Sequence, residues 1–252
     1  MTSIIDGVAL VAAGALAGLV GSAGGITSLI SYPALLVVGL PALRASIANN
    51  VALVACWPGS ALSSRSELRG WLPWLRRWTV VAAAGGAAGA ALLLSTPPRL
   101  FERIVPGLVA AGSLGLLLEP RLSAWRQRRA RSDSRLALPI GLLALSLYNG
   151  YFGAGAGVMT LTLTLLLVER RFSVANALKN MLIGAASVVS AIIFASSGSV
   201  DWTAAACLAL GMFIGSNLGP RIVRRLPVGL LRALIAVLGL GLAVRLALHG
   251  GT

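Results

Sequence analysis

Two stretches of this chain, residues 7–43 and 136–168, contain no Asp, Glu, Lys or Arg. A folded surface facing water cannot be built from such runs, whereas a surface facing lipid must be. One transmembrane helix needs ~20 predominantly apolar residues. Each run is therefore too long for a single span and has room for two segments. Six shorter uncharged runs, 45–64, 78–98, 104–118, 180–200, 202–220 and 233–244, suit one segment each, the last extending back through Arg232. Over all 252 residues 57% are hydrophobic and 11% charged, against about 25% charged in an ordinary soluble domain. The reading is an all-α, polytopic transmembrane helix bundle of about 8–10 membrane segments.

The net charge of +14 raises nucleic acid as a partner, but the arginines do not form one basic face with aromatics among them. They sit in short segments between apolar runs, the positive-inside pattern of membrane proteins. Breaking each long run once gives ten segments. With 119–135 placed in the cytoplasm, sixteen of the 21 basic residues fall on that side; Arg44, Arg99, Arg103 and Arg245 fall on the other. Making the second and seventh segments re-entrant would put the arginine clusters of the two halves on opposite faces. The charge rule thus favours ten crossings with both termini outside. The weakest crossing is 157–168, about 18 Å long as a helix. The first residues, Met1 to Asp6, lack a basic n-region, so the first apolar run is expected to stay in the protein. Cys56 and Cys207 lie in apolar runs and read as packing residues rather than a disulfide scaffold.

The break points are glycine clusters, Gly21-Ser22-Ala23-Gly24-Gly25 and Gly153-Ala154-Gly155-Ala156-Gly157, since each glycine weakens a helix by roughly 1 kcal/mol relative to alanine. Glycines at 18/150, 21/153 and 25/157 recur at an offset of 132. Each cluster is followed by an apolar segment, a short turn and an asparagine-bearing helix, around Asn49-Asn50 and around Asn176 to Asn180. Five segments per half is an odd number, so the halves run in opposite directions. The expected organisation is a first repeat, 1–118, a basic cytoplasmic linker, 119–135, and a second, inverted repeat, 136–252. Inverted repeats with interrupted helices are a hallmark of secondary transporters. The chance recurrence of abundant glycine is the competing explanation.

Where a helix restarts, its unpaired N–H groups and partial positive charge make an anion site without a charged side chain. Gly21, Ser22, Gly24 and Gly25, and Gly153, Gly155 and Gly157, are candidate binding residues on this ground; close helix packing is the alternative. Gly85, Gly89, Gly211, Gly215 and Gly219 are read as packing glycines. Lys179 stands in an apolar context, and an intramembrane ionisable group is functional by default. Asn176, Lys179 and Asn180 together offer hydrogen bonds and a positive charge to an oxyanion, unless the lysine snorkels to the interface. Asn49 and Asn50 are the first-half counterparts, and Tyr148 and Asn149, just before the second cluster, are further lining candidates. Pro33 and Pro58 are expected to kink helices. The single histidine is His249, and no Cys/His metal set, phosphate-binding loop or catalytic triad occurs. No metal, cofactor or enzymatic activity is expected. The seven carboxylates all fall near segment ends, leaving no proton relay.

The chain resembles the sulfite exporter TauE/SafE family of bacterial membrane proteins. The resemblance rests on the glycine-rich break and proline-containing segment from Gly21 to Pro33, RASIANNVALVACWPGSALSSRSELRG from Arg44, ANALKNMLIGAASVV from Ala175 and GSNLGPRIVRRLP from Gly215. It covers nearly the whole chain, although the second half has no proline matching Pro33. It implies a transporter in the bacterial plasma membrane exporting sulfite, a sulfonate or a related small anion. The expected partners are that anion and the lipid bilayer, with a homo-oligomer left open. A passive anion channel and a non-transporting membrane scaffold subunit are the alternatives.

Overall fold

A computed structural model describes residues 4–127, 136–222 and 228–249, and every regular element among them is helical. In chain order these are α1 (Ile4–Gly24), α2 (Ser28–Val37), α3 (Ala42–Leu53), α4 (Cys56–Ser63), α5 (Leu72–Ser95) and α6 (Pro98–Gln127). They continue as α7 (Ala137–Tyr151), α8 (Ala156–Leu167), α9 (Phe172–Ser196), α10 (Trp202–Ile222) and α11 (Val228–His249). Four stretches, Ile4–Ser22, Leu72–Ser95, Pro98–Leu118 and Phe172–Ser196, are long and apolar enough to cross a membrane. The outward faces of these helices carry Ile4, Val8, Val80, Leu92 and Ile192, all exposed, as lipid-facing positions require. Residues 128–135 of the basic linker and 223–227 of the last arginine cluster lie outside the described residues, whereas α6 itself runs on to Gln127.

Small residues set the packing. α1 lies along α10, and α5 along α7. On the first seam, a Cβ on Gly18 would meet Met212 Cα at 2.9 Å, and one on Gly211 would meet Ala15 N at 2.7 Å. On the second, a Cβ on Gly89 would meet Tyr151 N at 2.7 Å, and one on Gly85 the Leu143 carbonyl oxygen at 2.7 Å. Backbones this close give van der Waals contact along whole turns, the main attraction available between helices in lipid. α5 also packs on α9, α10 on α3 and α4, and α6 on α11.

The two helices that follow the glycine clusters are short. α2 has 10 residues and α8 has 12, so they rise about 15 and 18 Å, roughly half of a ~30 Å hydrocarbon core. Between α1 and α2 the chain passes through Gly25 at φ +77°, and between α7 and α8 through Gly153 at +82° and Gly155 at +79°. These are left-handed backbone positions, which cost glycine nothing. Pro33 sits inside α2, which nonetheless runs from Ser28 to Val37.

One expectation is corrected. Run 45–64 reads in the sequence as one segment, but α3 stops at Leu53 and α4 starts at Cys56. Here the ladder tightens, with Val54 N bonding Val51 O, Ala55 N bonding Ala52 O and Trp57 N bonding Val54 O. Pro58 explains the position. Its ring excludes the carbonyl four residues back, that of Val54, and it has no N–H to donate. Between α8 and α9, Glu169 accepts from Arg171 Nη2 at 3.1 Å and Arg171 N at 2.9 Å. Those bonds to Arg171 hold its carboxyl below the usual carboxylate range.

Candidate anion site

The last carbonyls of a helix have no partner within it and carry partial negative charge. At the end of α1 these groups are met by α9. Asn176 Nδ2 donates to Ser22 O at 2.9 Å, Asn180 Nδ2 to the same oxygen at 3.0 Å, and Lys179 Nζ to Gly21 O at 3.4 Å. The spacing 176, 179, 180 puts all three on one helical face. Gly21 O also accepts from Gly25 N at 2.6 Å. Lys179 is 1% exposed, so its ammonium ends inside the protein and does not snorkel. An ammonium has three donors, and its one acceptor among the described residues lies at the long end of hydrogen-bond range.

Lys179 lines a cavity of about 40 Å³. One water needs about 10–15 Å³ on this measure, so the space suits a solute of a few heavy atoms. The wall is formed on one side by the end of α1 and the first turn of α2, through Gly21, Ser22, Gly25, Thr27 and Ser28. Opposite stand Asn149, Gly153 and Gly157, from the end of α7 and the first turn of α8. The two short helices meet at their starts, where a Cβ on Gly25 would fall 2.6 Å from Val158 N and one on Gly157 would fall 2.6 Å from Gly25 Cα. α9 closes the remainder with Lys179, Asn180, Ile183 and Gly184, and α4 with Cys56, Trp57 and Ser60.

Eight of the candidate residues read from the sequence thus share one wall: Gly21, Ser22, Gly25, Asn149, Gly153, Gly157, Lys179 and Asn180. The other six stand elsewhere. Asn176 lies behind the wall on Ser22 O. Asn49 accepts from Ser31 Oγ at 2.5 Å and ties α3 to α2, while Asn50 donates to Ser46 O within its own helix. Tyr148 donates to Ala154 O at 2.7 Å, pinning the α7–α8 connection. Gly155 packs on Gly112 of α6, and Gly24 is the last residue of α1. Asn149 itself donates to Ser187 Oγ at 3.2 Å.

Sequence reasoning missed Thr27, Ser28, Cys56, Trp57 and Ser60. The hydroxyls at 27 and 28 had a signal, because Ser and Thr favour the first position of a restarting helix; Thr27 indeed precedes α2, without a side-chain cap bond. Cys56, read as a packing residue, is on the cavity wall instead. It arrives there because the α3–α4 break redirects the chain. No group of three or more His, Cys, Asp or Glu side chains able to hold a metal occurs among the described residues.

Comparison with known proteins gives a consistent picture. The sulfite exporter TauE/SafE family matches residues 8–246. "Probable membrane transporter protein YfcA" of Escherichia coli strain K12 is 26% identical over 58% of this chain and 54% of its own length, so the chain spans about half of that relative. "Probable membrane transporter protein ORF9" of a Sinorhizobium species is 26% identical over 92% of this chain and 88% of its own. A "Probable membrane transporter protein" of Haemophilus influenzae is 26% identical over 94% and 93%. No solved structure matches the chain. With helices fit to span a bilayer and a family match over nearly its whole length, the chain is a membrane protein belonging to the sulfite exporter TauE/SafE family.

Proposed function

We propose that this protein is a secondary transporter that exports a small anion, a sulfur oxyanion such as sulfite or a small sulfonate, across the bacterial plasma membrane. The observation that carries the proposal is the meeting of the first turns of α2 and α8 with the Lys179 ammonium on one small cavity. Each first turn offers amide N–H groups and a positive helix end to an anion. Lys179 adds the one buried full charge on the wall, and Ser28 and Ser60, 4% and 2% exposed, add hydroxyl donors. No carboxylate is on the wall, so a bound oxyanion meets no like charge there.

The same reading takes the halves as inverted repeats. It is supported by the helix pairings: exchanging α1 with α7, α2 with α8, α3–α4 with α9, α5 with α10 and α6 with α11 maps the α1–α10 seam onto α7–α5 and leaves α6–α11 in place. Gly25 and Gly157, equivalent at the offset of 132, touch each other, as residues beside a two-fold axis do. Both termini are placed outside and the 119–135 arginines in the cytoplasm on the positive-inside rule. An inside-negative potential favours anion exit by about 2.3 kcal/mol per charge per 100 mV, so uniport needs no proton relay. Thermal-shift screening of detergent-purified protein against sulfite, thiosulfate, methanesulfonate, small carboxylates and ammonium salts tests the substrate class. Stabilisation by the sulfur oxyanions over the rest is expected. Selective stabilisation by a cation would overturn the reading.

A further inference from the structure

Much of the cavity wall is buried; Lys179, Ser22, Ser28, Ser60 and Asn149 are each at most 4% exposed, while Gly25, Thr27, Cys56, Asn180 and Ile183 are partly exposed. Trp57 is different. It lines the same cavity yet is 39% exposed, so its indole reaches from the site to the protein's outer surface. On α9 it lies against Gly184, where a Cβ would fall 2.5 Å from Trp57 Cγ and 3.0 Å from its Cβ. Gly184 is therefore a notch that only a residue without a side chain provides, and the root of the indole occupies it. Trp57 follows directly on the α3–α4 break and precedes Pro58, so the backbone behind it lacks a regular helical ladder. Cys56, beside it, lines the same cavity and is partly exposed.

We propose that the Trp57 indole seated on Gly184 is the plug across the mouth of the cavity, and that an anion enters or leaves on this side only when the ring leaves the notch. The inference rests on the cavity being the anion site. It assigns α4 a gating role that the second half lacks, because α9 continues unbroken through the equivalent position. The plug makes two demands on residues from different helices. Gly184→Ala must unseat the ring, because the added methyl meets its fixed root rather than a flexible tip. Trp57→Ala must open the mouth by itself, and Gly184→Ala added to it must change little further, because no ring is left to unseat.

Cys56 is a native reporter of the mouth. In a Cys207→Ser background it is the sole cysteine, and its labelling by the anionic reagent 2-sulfonatoethyl methanethiosulfonate can be followed by mass spectrometry in nanodiscs. Gly184→Ala is expected to speed labelling at least tenfold, Trp57→Ala to do the same, and Gly184→Ala in the Trp57→Ala background to change the rate by less than about threefold. A Gly184→Ala rate equal to the parent's or slower overturns the plug, as does a Trp57→Ala rate equal to the parent's or a tenfold effect of Gly184→Ala that persists in the Trp57→Ala background. Variant folding is checked by elution as a single species and by an unchanged circular-dichroism spectrum in detergent. If Gly184→Ala does not fold, Trp57→Ala alone carries the test, with labelling at least tenfold faster than the parent expected. Methanesulfonate, which does not react with thiols, separates this claim from the site beneath it. Protection of Cys56 by that anion supports the anion site. A preserved tenfold rate difference without protection would sink the anion site and leave the plug standing.

Discussion

Lys179 decides the chemistry at the scale of single residues. Burying an ammonium is expensive, and its one acceptor among the described residues, Gly21 O at 3.4 Å, is a weak return for that expense. Under the proposed function a bound oxyanion would supply a further partner. Lys179→Met keeps the stem and removes the charge. It is expected to weaken anion binding by roughly 1–3 kcal/mol, the range for a hydrogen bond to a charged group, while leaving the protein as stable as before or more so. Lys179→Arg should fall between, since a planar fork replaces a point charge. Calorimetric titration of the three proteins at one pH and salt concentration measures this, and equal affinities would return Lys179 to the role of capping α1. Gly157 makes a second residue-scale test. A methyl there would press on Gly25 Cα at 2.6 Å. Gly157→Ala should therefore cost about 1–3 kcal/mol of stability, as overpacking does, and remove anion-dependent stabilisation in a thermal-shift assay.

At the scale of elements, the α3–α4 break tests whether the local cause has been identified. Pro58→Ala restores an N–H and relieves the ring's conflict with Val54 O. It should let α3 run further, seen as slower hydrogen exchange at residues 54–58, and should pull Cys56 and Ser60 off the cavity wall. Unchanged exchange would mean that packing of α4 on α10, where Gly59 abuts Ser216 and Asn217, holds the break without help from the proline. The same element marks the limit of what the sequence makes legible. The uncharged runs and the arginine segments disclose an all-helical membrane protein, because lipid imposes that pattern on every exposed position. Lys179 and Asn180 stand out because polar groups in apolar runs need a reason to be there. Trp57 and Ser60 give no such signal. A tryptophan and a serine are ordinary in a membrane helix, and only the three-dimensional turn at 54–55 brings them to the cavity. Asn49 and Asn50 show the converse, since their polarity is as conspicuous as that of Asn180, yet their bonds run to Ser31 and Ser46 within the α2–α3 pair.

For the molecule as a whole, orientation and transport are the two claims. Positive charge on one side predicts that single cysteines placed within 119–127 or at 221–222, in a background lacking Cys56 and Cys207, react with an impermeant maleimide only after the cytoplasmic face is opened. Reaction from outside intact cells would invert the topology. The central claim is that the cavity between α2, α8 and α9 binds and carries a small anion. Counterflow in proteoliposomes addresses it most directly: vesicles loaded with unlabelled sulfite receive trace radiolabelled sulfite, and uptake is followed for the parent protein and Lys179→Met. The account predicts a transient, saturable overshoot with the parent, competed by methanesulfonate, and at least a fivefold smaller initial rate with Lys179→Met at sub-saturating sulfite. Flux without overshoot or saturation would indicate a channel, and an overshoot equal in both proteins would contradict the placement of the anion at Lys179.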